Sequence, residues 1–277
     1  MPGVVNPLDQ TAALGDWALG RGEDLRARLA FLGDVMQALA RLAKSRARRT
    51  EAEIAKSLDR IGVGSLPIVA VFAVSTGVAL SLLATQQLDR VGLPGLAPRL
   101  VGIVILRELA ALMTGLALAG PVGAGLALEI AQAMSGVESA DRHAAGHDVL
   151  EKLVAPRILA LMLAGPLLVA YADAFALLAA AITGIAVTDI TWLSKVTVQA
   201  HLETTTSTLA VDHAVAGLIK GAVFGAVVGV ATSWHALGNR PGSSGLGHAV
   251  RRAVVASAAS VAIADLALTF IFKWVRL

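Results

Sequence analysis

The stretch LAALMTGLALAGPVGAGLAL, residues 109–128, runs for 20 residues without a charge and decides the fold class. A helix of about 20 apolar residues crosses a hydrocarbon core of roughly 30 Å. Stretches 66–83 and 253–264 are also free of charge, whereas 158–187 and 215–234 carry one charge each, Asp173 and Lys220. Because these runs are continuous and do not alternate, they predict transmembrane helices and not barrel strands.

The composition agrees with an all-α integral membrane protein. The chain is 56% hydrophobic and only 16% charged, whereas soluble domains are about 25% charged. It has no cysteine, which excludes disulfides and thiolate metal sites. The first twenty residues hold no Lys or Arg ahead of an apolar core, so we expect no cleaved signal peptide.

Five transmembrane helices are predicted, at about residues 62–87, 100–132, 158–187, 213–237 and 253–274. A basic segment at 41–60 directly precedes the first span and predicts an N-terminus inside and a C-terminus outside by the positive-inside rule. Lys273 and Arg276 at the outer end oppose this orientation weakly. A nucleic-acid partner is the alternative for a basic run, and the adjoining span disfavours it.

We divide the chain into an N-terminal cytoplasmic or interfacial segment, 1–61, and a five-span domain, 62–277. Within the first segment, apolar residues at three- and four-residue steps predict an amphipathic helix: Leu25, Leu29, Leu32, Met36 and Leu39. Such a helix lies in the membrane interface, or alternatively packs on the rest of the protein.

The polar connector at 135–157 carries His143 and His147, four residues apart as helical metal ligands can be. No third ligand is obvious beyond Asp141 or Asp148, so we expect no metal site. The sequence also lacks a GxxxxGK[ST] loop, an HExxH motif and a nucleophile elbow. We therefore expect no catalytic residue and no ATP hydrolysis by such a loop in this chain.

Small residues recur every four positions in two spans. The fourth span has Gly217, Gly221, Gly225 and Gly229, and the second has Ala111, Gly115, Ala119, Gly123 and Ala127. Such stripes let helix backbones approach closely, within one subunit or across a dimer.

Several charges lie inside or at the edge of the spans: Arg107, Glu108, Asp173, Lys220 and Asp265. They either pair with one another and fix the fold, or line a cavity for a polar group.

Short motifs along the chain resemble the MlaE/YrbE permease family. They are LREL at 106–109, AGPVG at 119–123, LEI at 128–130, GHD at 146–148, APRILA at 155–160, PLL at 166–168, LIK at 218–220, RAVV at 252–255 and DL at 265–266. The similarity covers about residues 25–275, in matching order. The chain departs from the family's usual pattern at Pro121, where an arginine is usual, and in 137–149.

The resemblance implies the permease subunit of an ABC transporter in the bacterial inner membrane, moving phospholipid or a related lipid to an MCE-protein conduit. It implies a permease dimer, an ABC ATPase that binds ATP and Mg, an MCE-domain protein and a small STAS-type subunit as partners, and no cofactor in this chain. Family positions around the lipid cavity match Arg107, Glu108, Lys220, Arg252 and Asp265. The connector 135–157 would be the coupling helix, with Glu138, Asp141, Arg142 and Asp148 facing the ATPase.

Two other hypotheses stay open. The departures at Pro121 and 137–149 favour a non-transporting scaffold that only anchors an MCE or ATPase partner. An intramembrane enzyme is a more distant alternative.

Overall fold

The computed structural model describes residues 26–42, 44, 48–135, 137, 141–190, 211–238 and 243–275. Helix α1 covers 26–42, α2 covers Arg48–Arg90 and α3 covers Pro94–Ala133. Helix α4 begins with Arg142–Val149, passes through a π-helical turn at Leu150–Val154 and continues as Ala155–Ile190. Helix α5 covers Val211–Leu237 and α6 covers Ser243–Val275. The predicted all-α class is confirmed in this part of the chain.

Among the described residues, five helices, α2 to α6, are long and apolar enough to cross a membrane, as predicted. Each predicted span lies within one of them, but two helices begin well before their spans. Helix α2 begins at Arg48, and α4 begins at Arg142 inside the predicted connector. Hydropathy marks only the apolar part of a helix, whereas backbone hydrogen bonding continues into the polar flank.

A tight turn joins α2 to α3. The Leu93 amide donates to the Leu88 carbonyl over 2.8 Å and the Gly92 amide donates to Asp89 over 3.0 Å, the Schellman arrangement. Gly92 has a φ of +75°, which glycine adopts without steric cost. The turn reverses the chain within a few residues, so α2 and α3 enter the membrane as neighbours.

Helix α3 contains two π-helical turns, at Ile105–Leu109 and Leu118–Val122. Pro121 lies inside the second turn. A proline has no amide hydrogen and disrupts the regular α-helical ladder, so the wider turn accommodates it without ending the helix. The first turn carries Arg107 and Glu108.

The two small-residue stripes pack inside this one chain. On α5, Gly221 lies against Gly165 of α4, Gly225 against Leu161 and Gly229 against Ile158. On α3, Gly115 faces Phe224 of α5 and Val261 of α6. The alternative that the stripes meet across a dimer is therefore not needed to explain their close approach.

Helix α1 packs on the bundle through a face other than the predicted amphipathic stripe, which is mostly exposed. Val35 and Ala38 are buried, and Phe31 and Leu42 are partly buried against the core. In the predicted stripe, Leu29, Leu32 and Met36 are exposed while Leu39 is partly buried, and Leu25 lies outside the described residues. The helix thus has one apolar face on the protein and a second directed outward, which suits an interfacial position.

Candidate functional site

Lys220 is the centre of a polar cluster inside the bundle. Its side chain is fully buried on α5, between two glycines of the small-residue stripe. The Nζ atom forms an ion pair with Glu108 of α3, and lies 2.8 Å from Asp265 Oδ1 and 2.8 Å from Thr269 Oγ1, both on α6. Three spans therefore meet at one ammonium group.

Thr269 completes the cluster. Its hydroxyl oxygen lies 3.1 Å from Glu108 Oε2 and 2.9 Å from the backbone carbonyl oxygen of Asp265. The Thr269 hydroxyl thus links the carboxylate of α3 to the backbone of α6. The four side chains, which we call the Lys220 cluster, are Glu108, Lys220, Asp265 and Thr269.

The Lys220 cluster contains two carboxyl groups, of Glu108 and Asp265, but only one ammonium group. The Lys220 side chain has no exposure, but the Glu108 side chain retains 30% and the Asp265 side chain 14%. Removing a charge from water costs several kcal/mol, which a well-formed pair offsets only in part. The exposed edge of Glu108 leaves room for an additional polar or cationic group.

The π-helical turn at Ile105–Leu109 gives Glu108 its position. A π turn inserts an extra residue into the helical repeat and so rotates the side chains that follow; such turns are frequent at functional sites. Ile105 and Leu106 in the same turn are buried. Their packing fixes the backbone that carries Glu108, and Arg107 beside it is half-buried.

The predicted cavity residues lie in two separate parts of the structure. Glu108, Lys220 and Asp265 come together, with Arg107 next to Glu108 in sequence. Arg252 lies 13 residues before Asp265 on α6, which is about 20 Å along a helix. It lines a separate cavity of about 520 Å³ at the start of α6, together with His147 and His235 among others.

Asp173, the other charge inside a span, is not part of the Lys220 cluster. It is buried on α4, and its Oδ1 has no hydrogen-bond partner in the described part of the chain. Nothing in its contacts points to a ligand.

Three of the four predicted coupling residues, Asp141, Arg142 and Asp148, lie at the start of α4. Asp141 and Asp148 are exposed, and Asp148 accepts a hydrogen bond of 2.7 Å from Lys152 one turn later. The side chains of Glu138 and Arg142 lie outside the described residues. Glu151, one turn further along, is paired with Arg41 of α1, so α1 touches the helix that carries the predicted ATPase contact.

A second ion-pair cluster was not predicted as a site. Glu129 of α3 accepts from Arg60 of α2 over 3.0 Å, and lies 2.6 Å from Arg157 of α4. In the sequence, all three charged residues lie at the edges of apolar runs, which was the available indication that they could meet. Their mutual contact depends on helix packing, which the spacing along one chain does not give.

The chain was compared with known proteins. The family model for permease MlaE matches residues 54–271. A probable ABC transporter permease protein of Rickettsia prowazekii is 30% identical over 220 residues, covering 79% of this chain and 82% of that protein. A second, from Rickettsia typhi, is 29% identical over 222 residues, covering 79% and 83%. The chloroplastic protein TRIGALACTOSYLDIACYLGLYCEROL 1 of Arabidopsis thaliana is 26% identical over 217 residues, covering 78% and 60%.

Proposed function

Because the chain belongs to the permease MlaE family, we propose that it moves phospholipid or a related lipid between the bacterial inner membrane and an MCE-protein conduit. Its role as a multi-pass ABC transporter permease subunit is the part that the family and the relatives support directly. The lipid substrate is supported by the name of the Arabidopsis relative, which refers to a glycolipid. ATP and Mg would bind to a separate ATPase subunit.

The Lys220 cluster is the observation that carries the proposal. It joins α3, α5 and α6 through polar contacts that are deep in the bundle, where ionisable residues mark substrate paths more often than they serve packing alone. A lipid head group carries a phosphate and often an ammonium. Arg107 suits the phosphate, and the exposed edge of Glu108 suits the ammonium. The exposed apolar surfaces of α2 and α6 suit acyl chains or a second permease subunit.

In this proposal, the ATPase subunit is coupled to the permease through the start of α4. The helical turns at Arg142–Val149 precede the apolar run at 158–187, and with the N-terminus inside they lie on the cytoplasmic side. An ATPase bound there would push on α4 directly, since the helix continues without a break into the membrane. A permease dimer, an MCE-domain protein and a STAS-type subunit complete the proposed assembly.

The first experiment purifies the tagged chain from its own cells in mild detergent and identifies the proteins that accompany it. We expect an ABC ATPase, whose activity falls when Asp148→Lys reverses the charge on the exposed start of α4. The matched control is Asp89→Lys, which makes the same change at the end of α2. Recovery of an MCE-domain protein without any ATPase would favour the scaffold hypothesis and contradict the coupled one.

The second experiment tests the substrate. The purified complex is reconstituted with fluorescent phospholipid, and lipid delivered to the MCE partner is measured with and without ATP. ATP-dependent delivery is expected, and Arg107→Gln is expected to reduce it while the ATPase still binds. If ATP is hydrolysed but lipid is not moved, a phospholipid substrate is wrong.

A further inference from the structure

A cleft opens where α2, α3 and α4 meet at the end of the bundle that carries Arg60. It consists of two adjoining cavities, of about 280 Å³ and about 220 Å³. Both are lined by Arg60, Ile61 and Arg157. The cleft is separate from the Lys220 cluster, none of whose residues line it.

The larger cavity is predominantly basic. Four cations line it, Lys56, Arg60, Lys152 and Arg157, with Glu53 as the carboxylate among its lining residues. Lys56, Arg60 and Lys152 are exposed. Glu129 accepts a hydrogen bond from Arg60 and forms an ion pair with Arg157, so both guanidinium groups lie at the mouth of the smaller cavity, but one carboxylate balances only one of the two charges.

The smaller cavity is mostly apolar and extends along the bundle. Beyond Arg60 and Arg157 it is lined by Gly64, Pro121, Gly125 and Leu161, among others. A Cβ atom built on Gly64 or on Gly125 would meet no heavy atom within 4 Å. The two glycines and the π-helical turn at Pro121 thus leave open space just inside the apolar part of α2 and α3.

We propose that this cleft binds one anionic phospholipid from the leaflet at the Arg60 end. The phosphate would lie against Lys56 and Arg60, and one acyl chain would enter the apolar cavity past Gly64. Basic pockets between helices at the membrane boundary bind anionic head groups in this way. The basic cavity adjoins an apolar one, as the head group of a lipid adjoins its acyl chains. A free phosphate would occupy the basic cavity alone, so the arrangement favours a lipid. The proposal does not depend on transport.

Native mass spectrometry of the purified full chain in nonionic detergent tests the proposal. The bound fraction is compared for phosphatidylglycerol and phosphatidylcholine with the same acyl chains. We expect a preference for phosphatidylglycerol, reduced by about 5- to 30-fold in the variant Lys56→Gln/Arg60→Gln, since each basic residue near an anionic surface contributes about fivefold. The control Arg90→Gln/Arg99→Gln removes two exposed cations at the other end and should leave the preference unchanged.

A second variant separates a lipid from a free anion. Gly64→Leu fills the apolar cavity and keeps every cation, so it should reduce phosphatidylglycerol binding several-fold. Inorganic phosphate at the lipid's concentration should not compete. The proposal is overturned if the double glutamine variant keeps the full preference while remaining folded by circular dichroism. It is also overturned if Gly64→Leu binds normally and inorganic phosphate competes, because the cleft would then be an anion site without an acyl chain.

Discussion

The Nζ atom of Lys220 lies 2.8 Å from a carboxylate oxygen of Asp265, although the two residues are on different spans and Lys220 is fully buried. The same ammonium group is paired with Glu108. A buried ammonium with two carboxylate partners is stabilised only while those partners remain in place. The contact therefore ties the position of α6 to that of α5 and α3.

Replacing Lys220 by methionine is expected to destabilise the protein by about 3–5 kcal/mol. The change keeps much of the side-chain volume but leaves the Glu108 and Asp265 carboxylates without their cation, and breaking a buried pair has about this effect. The unfolding midpoint in detergent is the measurement. Lys273→Met removes an exposed lysine of α6 and should have little effect. Equal midpoints for both variants would contradict the ion pairing.

The loss should be partly recovered when the partners are neutralised as well. The triple variant Lys220→Met/Glu108→Gln/Asp265→Asn removes every formal charge of the Lys220 cluster. We expect it to be more stable than Lys220→Met alone, because the unpaired carboxylates cause most of the penalty. Stability losses that simply add across the three positions would indicate that the groups do not interact.

Glu129→Gln should destabilise the protein more than Glu151→Gln, although the two changes are chemically identical. The side chains of Glu129 and its partner Arg157 are only 31% and 22% exposed, so loss of the charge leaves a poorly solvated guanidinium, at a cost of about 1–3 kcal/mol. The pair Arg41–Glu151 is 69% and 42% exposed, and such pairs contribute about 0–1 kcal/mol. Thermal unfolding of both variants provides the comparison, and the reverse order would be inconsistent with the observed burial.

Gly225→Ala should separate α5 from α4. The added methyl group would overlap the backbone carbonyl of Leu161, and overpacking of this kind costs about 1–3 kcal/mol. The matched control is Gly62→Ala, where a methyl group meets no atom within 4 Å. That change should be neutral or stabilising by up to about 1 kcal/mol, since alanine favours a helix over glycine. A Gly225→Ala protein as stable as the Gly62→Ala protein would rule out the close approach.

Phe31→Ala should loosen α1 on the bundle. The Phe31 ring meets Trp234 of α5 edge to face, with a centroid distance of 5.3 Å. Such a pair contributes about 0.5–1.5 kcal/mol beyond its buried area. Amide hydrogen exchange in 26–42 should therefore accelerate about 2- to 10-fold or more. Phe72→Ala, at a phenylalanine of α2 that is 39% exposed, should leave exchange in 26–42 unchanged. Identical exchange in both variants would mean that the ring contact does not hold α1.

The spans were predictable because their apolar runs are long and nearly free of charge. The boundaries were not, since α2 and α4 continue as helices through polar residues that hydropathy assigns to connectors. Pairing among the charges inside the spans was one alternative from the sequence, but it did not show that Glu108, Lys220 and Asp265 pair while Asp173 does not, because these residues are up to 157 positions apart. Their contact depends on how three helices pack.

The face of α1 that packs on the bundle is a second feature that the sequence did not predict. Periodicity predicted one apolar stripe, which contains Leu29 and Met36, without showing whether it would face the membrane interface or the protein. The bundle buries a different face, with Val35 and Ala38 at its centre. Which face meets the protein depends on the surface of the bundle. The ion-pair cluster of Arg60, Glu129 and Arg157 was missed for the same reason, since its three members come from three helices.

Helix α2 packs mainly against α4, with Gly77 against the backbone of Ala176 and the Ser81 hydroxyl donating to the Ala180 carbonyl over 2.8 Å. The two helices run parallel and are separated in sequence by all of α3. During synthesis, α2 therefore leaves the ribosome about 100 residues before its principal partner. Until α4 is made, the Ser81 hydroxyl lacks the Ala180 carbonyl that accepts its hydrogen bond, whereas α3 residues that line the same small cavity, such as Val101, are already present.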